Sequence, residues 1–317
     1  MSEFVLSDCQ ISAQAPIEDI LAILKKAGGV IIKGLIDPEV CIAIKSELQP
    51  YIDAEDPKNK PPREGTNDFF PETTRKVGAL ITRSDTFART IVPHPVLLGI
   101  AKDVLTVRNR FWMGEGQRQW CRSDPQVNVT SVLEIHPGAK RQPFHRDDYT
   151  FQRMLEPTEV WTKGRELSIL TFTALSKVTS ENGGTLFIPG SHLTGEDYAP
   201  EPEKALQAQM DVGDCFVMMC SCFHAGGANL TKEGDPASIR TVLALGYNQG
   251  MLRQEENQYL ALDHEKLKRL PRQVQELSGW FLSQPNVGSV DFKHPLNKLG
   301  HDIAYTDEAL YEVGAVA

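Results

Sequence analysis

Between Arg108 and Asn248 the chain is a succession of short β-type runs broken by Gly, Pro and Asn, a pattern that few folds accept. Candidate strands are Val127 to Ile135, Gln142 to Asp147, Leu167 to Leu175, Thr185 to Ile188, Asp214 to Met219 and Ile239 to Tyr247. Short strands in such number, with no helices between them, point to a double-sheet jelly roll. The expected fold class is therefore mainly β with flanking helices, a cupin-like double-stranded β-helix. Helical signals lie outside this stretch. Ile17, Ile20, Leu21 and Leu24 recur at helical spacing, Gly28 stops them, and Val30, Ile31 and Ile32 form a short strand. Asp37 and Pro38 open a second helix with its stripe at Val40, Ile44, Leu48 and Ile52. After Gly250 another amphipathic face runs through Leu267, Leu270, Val274 and Leu277, interrupted by Pro271. The polar, proline-rich residues 54–68 read as a long, lid-like loop leading to Phe69 and Phe70.

With 317 residues and 41% apolar content the chain can bury a large core. One domain over 1–317 is expected, with helices at about 15–55, the β-helix at about 108–248 and a helical extension at about 251–317. A formal charge of −9 speaks against a nucleic-acid surface, and no basic block suggests an anionic membrane, so the expected partner is a small molecule. The N-terminus lacks a basic region followed by an apolar one, and no apolar run approaches a membrane span, which reads as a soluble, cytoplasmic protein. Six cysteines in a chain this long form no dense disulfide framework and are read as thiols.

Chemistry concentrates in Gln142-Pro143-Phe144-His145-Arg146-Asp147-Asp148, in Cys222-Phe223-His224 and at Arg240. On an extended strand His145 and Asp147 would project to one side and Asp148 to the other. His224 would complete a two-histidine, one-carboxylate triad that leaves three positions of an octahedral Fe(II) open for cosubstrate and O2. His-x-Asp alone is common in surface loops; the β-rich setting and the histidine ending an apolar strand raise its weight. His192, after a Pro189-Gly190 turn, competes with His224 as ligand, but a histidine there can simply bond backbone. Cys220-x-Cys222-x-His224 is spaced too tightly for structural zinc, so small buried thiols are the preferred reading. Arg240 stands in an otherwise apolar strand, and a buried arginine requires an anion. That anion is a core carboxylate or, preferably, a dicarboxylate cosubstrate bound through two parallel hydrogen bonds.

Gln142-x-x-His145-x-Asp147-Asp148, Asn182-Gly183-Gly184-Thr185, Pro189-Gly190-Ser191-His192, Gly213-Asp214, His224 and Arg240 together resemble the phytanoyl-CoA dioxygenase family of Fe(II)/2-oxoglutarate oxygenases. The likeness runs from about Gly28 to Tyr259, includes Phe69-Phe70-Pro71 and Arg253 to Gln258, and is greatest to the branch acting on fungal secondary metabolites that includes verruculogen synthase. It implies iron on His145, Asp147 and His224, and 2-oxoglutarate against Arg240, Thr185 and Gln142. Gln142 needs a local bend, since its odd offset from His145 puts it on the other face of a regular strand. The implied reaction oxidises a terpenoid or alkaloid intermediate, by hydroxylation or by desaturation or rearrangement, releasing succinate and CO2. Asp147 stands where halogenating relatives carry a small residue, so halogenation is not expected. The Lys232 to Pro236 insert departs from phytanoyl-CoA hydroxylase itself and argues against acyl-CoA substrates. By the same likeness, Phe69, Phe70, Leu133, Pro143, Thr150 and Arg153 would line the substrate pocket, and a homodimer is implied. The rival readings are a non-catalytic cupin-like metal-binding or sensing protein and an iron oxygenase that needs no cosubstrate.

Overall fold

Alternate residues of the central strands divide between two cores, and this division places the site. The computed structural model describes residues 4–59, 69, 71–235, 237–306 and 310–312. Its strands are β1 (Gln10–Ser12), β2 (Gly29–Lys33), β3 (Thr74–Val77), β4 (Val107–Met113), β5 (Gln117–Ser123), β6 (Pro125–Ile135), β7 (Ser168–Ala174), β8 (Leu186–Phe187), β9 (Leu206–Gln207), β10 (Cys215–Met219), β11 (His224–Ala225) and β12 (Arg240–Gln249). Its helices are α1 (Ile17–Ala27), α2 (Pro38–Ala54), α3 (Asp85–Thr90), α4 (Pro95–Leu105), α5 (Gln258–Ala261), α6 (His264–Leu267) and α7 (Arg272–Leu277). A seven-stranded sheet runs β1-β2-β10-β7-β12-β6-β3, antiparallel except for the β1–β2 pair, and a three-stranded sheet runs β11-β8-β9. Leu243, Leu245 and Tyr247 of β12, with Cys215, Val217 and Met219 of β10, face a helix-covered core holding the apolar stripes of α1, α2 and α4. Val242, Ala244, Phe216 and Met218 face the other way, toward Phe187 of the small sheet. This is the double-stranded β-helix expected from the strand pattern.

The flanking helices end where their sequences stop them. Gly28 caps α1 in the left-handed region (φ 80°), donating to the Leu24 carbonyl, and a Cβ there would meet His192 Nδ1 at 2.5 Å. Asp37 caps α2 by accepting from the Glu39 amide (2.8 Å). In α2 Cys41 takes the fully buried first-turn place and Val40 is half-buried. Pro271 precedes α7, and Leu267, Leu270, Val274 and Leu277 are all buried.

Two expectations are corrected. The sheet is not confined to 108–248: β1, β2 and β3 join it from upstream, whereas β4 and β5 form a separate hairpin. Gln142–Asp147 is not a strand. Pro143 has no N–H for a ladder, and the segment meets β11 through one bridge, in which His145 and His224 exchange both backbone bonds (3.0 and 2.9 Å), with the Gln142 amide donating to the Gly226 carbonyl just beyond it (2.9 Å). Asp147 then begins a 3-10 turn, Asp147–Phe151. Most of the lid-like loop, 60–68, lies outside the described residues. No helix among the described residues is long and apolar enough to cross a membrane.

Candidate active site

His145, Asp147 and His224 converge, with one ligand atom of each lying within 4.8 Å of the others. The bridge brings the two histidines together, their ring centroids 4.2 Å apart. The turn then swings Asp147 back beneath them, its amide and that of Asp148 both donating to the Cys220 carbonyl (2.9 and 3.3 Å). Asp147 Oδ1 lies 3.6 Å from His145 Nε2 and Oδ2 lies 3.4 Å from His224 Nε2. Each histidine spends Nδ1 on a backbone carbonyl, His145 on Pro143 (2.9 Å) and His224 on Cys222 (3.1 Å). Because a carbonyl only accepts, the proton sits on Nδ1 and the Nε2 lone pair points inward, as a metal ligand requires. Without an ion, burial opposes charge on Asp147, but His224 and His145, when protonated at the inward Nε2, outweigh it and hold the carboxylate below its usual range; an ion would replace that proton.

These three donors open on a cavity of about 520 Å³. Sheet alternation lines it: Val129, Ser131, Leu133 and Ile135 of β6, Val242 and Ala244 of β12, and Leu170 and Phe172 of β7. Arg240 closes one end, paired in register with Ile135. It is buried at 4% exposure, its Nε has no hydrogen-bond partner, and no carboxylate among the described residues pairs with it. Burial alone pulls its pKa down to about 10. Of the two anions expected for it, a core carboxylate is not found among the described residues.

Thr185 and Gln142 line the same cavity. Gln142 reaches the cavity because its segment is irregular, and its amide accepts from Gly226 N (2.7 Å) and donates to the Phe69 carbonyl (2.9 Å). Phe69 stands edge-on to His145 at 4.6 Å, and Leu133 and Thr150 also line the cavity. Pro143 and Arg153 are not among its lining residues. Arg153 donates to the Gly164 carbonyl (3.1 Å), and Phe70 lies outside the described residues. His192 is fully buried and bonds the Lys25 carbonyl through Nε2 (3.0 Å), so it takes no part. Cys220 and Cys222 are buried thiols whose pKa values burial raises.

Sequence reasoning missed Thr74, Lys76, Ser131, Lys140 and Glu255 in the lining. Thr74 and Lys76 had a readable signal, a two-residue alternation in a short strand after Pro71. It also missed Glu166, fully buried, its carboxylate receiving the hydroxyl of Ser221 (2.8 and 2.9 Å), the residue next to Cys222, whose carbonyl holds His224. Burial raises that carboxyl to about 7.

Donors confined to one side of a would-be ion, in a double-stranded β-helix, are the mark of the non-haem iron dioxygenases that use 2-oxoglutarate, and fold and site together put this chain in that class. The model of the phytanoyl-CoA dioxygenase (PhyH) family matches residues 24–235, and the chain belongs to that family. Dioxygenase peniF of Penicillium patulum is 32% identical over 90% of this chain and 89% of its own length. Dioxygenase cnsJ of Penicillium expansum is 32% identical over 86% of this chain and 79% of its own. Among solved structures, HygX from Streptomyces hygroscopicus with nickel and 2-oxoglutarate bound shares the fold, with a TM-score of 0.53 at 16% identity over 76% of this chain and 90% of HygX.

Proposed function

We propose that the chain oxidises a small-molecule secondary metabolite, a terpenoid or alkaloid intermediate, with Fe(II), 2-oxoglutarate and O2. The observation that carries this reading is the buried Arg240, with no carboxylate partner among the described residues, in the wall of the cavity on which the three ligands open. His145, Asp147 and His224 would hold the iron, and Arg240 would bind the far carboxylate of 2-oxoglutarate through paired N–H donors. Thr185 would add a hydroxyl contact, and Gln142 would border the cosubstrate while tying Phe69 to Gly226. Iron and 2-oxoglutarate, when bound, supply the oxidising power: one oxygen atom leaves in succinate, CO2 is lost, and the other oxidises substrate. Phe69, Leu133 and Thr150 would hold the substrate over the ligands, since the outcome depends on which C–H bond lies nearest. Hydroxylation, or desaturation or rearrangement, in the manner of the branch that includes verruculogen synthase, is the reaction we assign. The homodimer and the single domain over 1–317 stay part of this proposal, and sedimentation of the purified chain tests the former.

Anaerobic titration with Fe(II), with and without 2-oxoglutarate, tests the reading. The expected result is a weak visible charge-transfer band that needs both components and disappears in His224→Ala. Iron binding in folded wild type without a band would overturn the cosubstrate assignment and favour an iron protein that works without it. A band without succinate formation on any substrate would favour a sensing role.

A further inference from the structure

The end of the cavity away from Arg240 carries an acid that the assigned chemistry does not use. From Ile135, opposite Arg240, to Val129 is six residues of β6, about 20 Å of strand. At that far end the β6–β12 register shifts: Gly246 pairs with Val129 and Tyr247 with Val127, leaving Asn128 as the extra residue of a bulge. Asn128 uses every group it gains. Its carbonyl accepts the Glu256 amide (3.0 Å), and its side chain accepts the Glu255 amide (2.8 Å) and faces the Glu255 carboxylate with Nδ2 at 3.4 Å.

The two neighbouring glutamates fare differently. Glu256 is saturated, accepting from Ala79 N (2.6 Å), Thr130 N (3.2 Å), Thr130 Oγ1 (2.9 Å) and Gln258 Nε2 (2.7 Å). Glu255, still partly exposed, receives among the described residues the one long bond from Asn128, and the residue borders the cavity. Burial first, then the charge of Asp147, push its carboxyl pKa up against the pull of Lys76. The surrounding wall is mixed: Val129, Leu133, Leu170 and Phe172 are apolar, Thr74 and Ser131 are polar, and Lys76 is a cation that a bound ammonium would have to share Glu255 with.

We propose that Glu255 is a specificity-determining residue that anchors the substrate through a protonated amine or other positively charged nitrogen, the apolar body of the substrate lying along β6 toward the ligands. The substrate class is thus a nitrogenous, alkaloid-like base, not a neutral terpenoid. This rests on the proposed function for the identity of the site, not for the recognition itself.

Anaerobic calorimetry on protein loaded with Fe(II) and 2-oxoglutarate tests it with matched probes: tryptamine against tryptophol, phenethylamine against phenethyl alcohol, and cyclohexylmethylamine against cyclohexylmethanol. In wild type at least one amine should bind roughly three-fold or more tightly than its alcohol, the worth of an ion pair at a partly exposed carboxylate. Glu255→Gln, with its Fe(II)·2-oxoglutarate band retained, should bring the pair to parity. Equal affinities in wild type, no binding by any amine, or a preference that survives Glu255→Gln would overturn the proposal. The heat of probe binding is read apart from the visible band, so an absent band with an amine preference defeats the proposed function and leaves this inference standing.

Discussion

Arg240 is a residue whose own fold gains nothing from it. A guanidinium buried without a partner opposes folding, and its pKa lowered by burial is the electrostatic sign of that opposition. Arg240→Met keeps the length and removes the charge. It is expected to raise the stability of the ligand-free protein by about 1 kcal/mol or more. The same variant should lose the thermal stabilisation that 2-oxoglutarate gives iron-loaded wild type, as differential scanning fluorimetry will show. A fall in ligand-free stability would mean that a structural ion pair holds the side chain. Arg240 was legible in sequence because charge interrupts an apolar strand. Glu255 was not, since Arg253 to Gln258 is polar throughout and nothing local marks which of two adjacent carboxylates borders the cavity.

At the scale of elements, two turns with the same backbone demand differ in what surrounds them. Gly183 (φ 87°) and Gly138 (φ 84°) are both left-handed, but a Cβ on Gly183 would meet the Gly227 and Ala228 carbonyls at 2.5 and 2.7 Å, whereas one on Gly138 meets nothing within 4 Å. Gly138→Ala should cost about 1 kcal/mol, the strain alone. Gly183→Ala should cost roughly 3 kcal/mol or more, because backbone on both sides must move. Urea melts of the two variants will measure the gap, and equal losses would show that the turn before β8 yields easily. Elements with a local cause were readable: α2 from its Asp37-Pro38 start, and β12 from its apolar run. Pairings between distant segments were not. Gln10–Ser12 carries no mark of a sheet edge, the alternation in Thr74–Val77 does not say which strand it joins, and the Gln142–Asp147 motif looks extended until Pro143 limits it to the His145–His224 bridge.

Over the whole molecule, buried titratable groups set a response to acid. Burial holds His192 near pKa 4, well below the value of about 6.5 for an exposed histidine. The unfolded chain therefore takes up the proton first, so stability present above pH 6.5 is lost as pH falls toward 4. Up to about 3 kcal/mol is at stake, and His192→Gln should flatten the decline between pH 7 and 5 in urea unfolding. An unchanged slope would assign acid sensitivity to other groups. Last, the two ligand histidines hold each other by backbone bonds while the Cys220 carbonyl holds Asp147, so segments far apart in sequence are fastened by main chain at the place where the ion would sit. The fold thus makes a socket whose walls are fastened without an ion, so an ion bound there would put its binding energy into reactivity, not into assembling the chain.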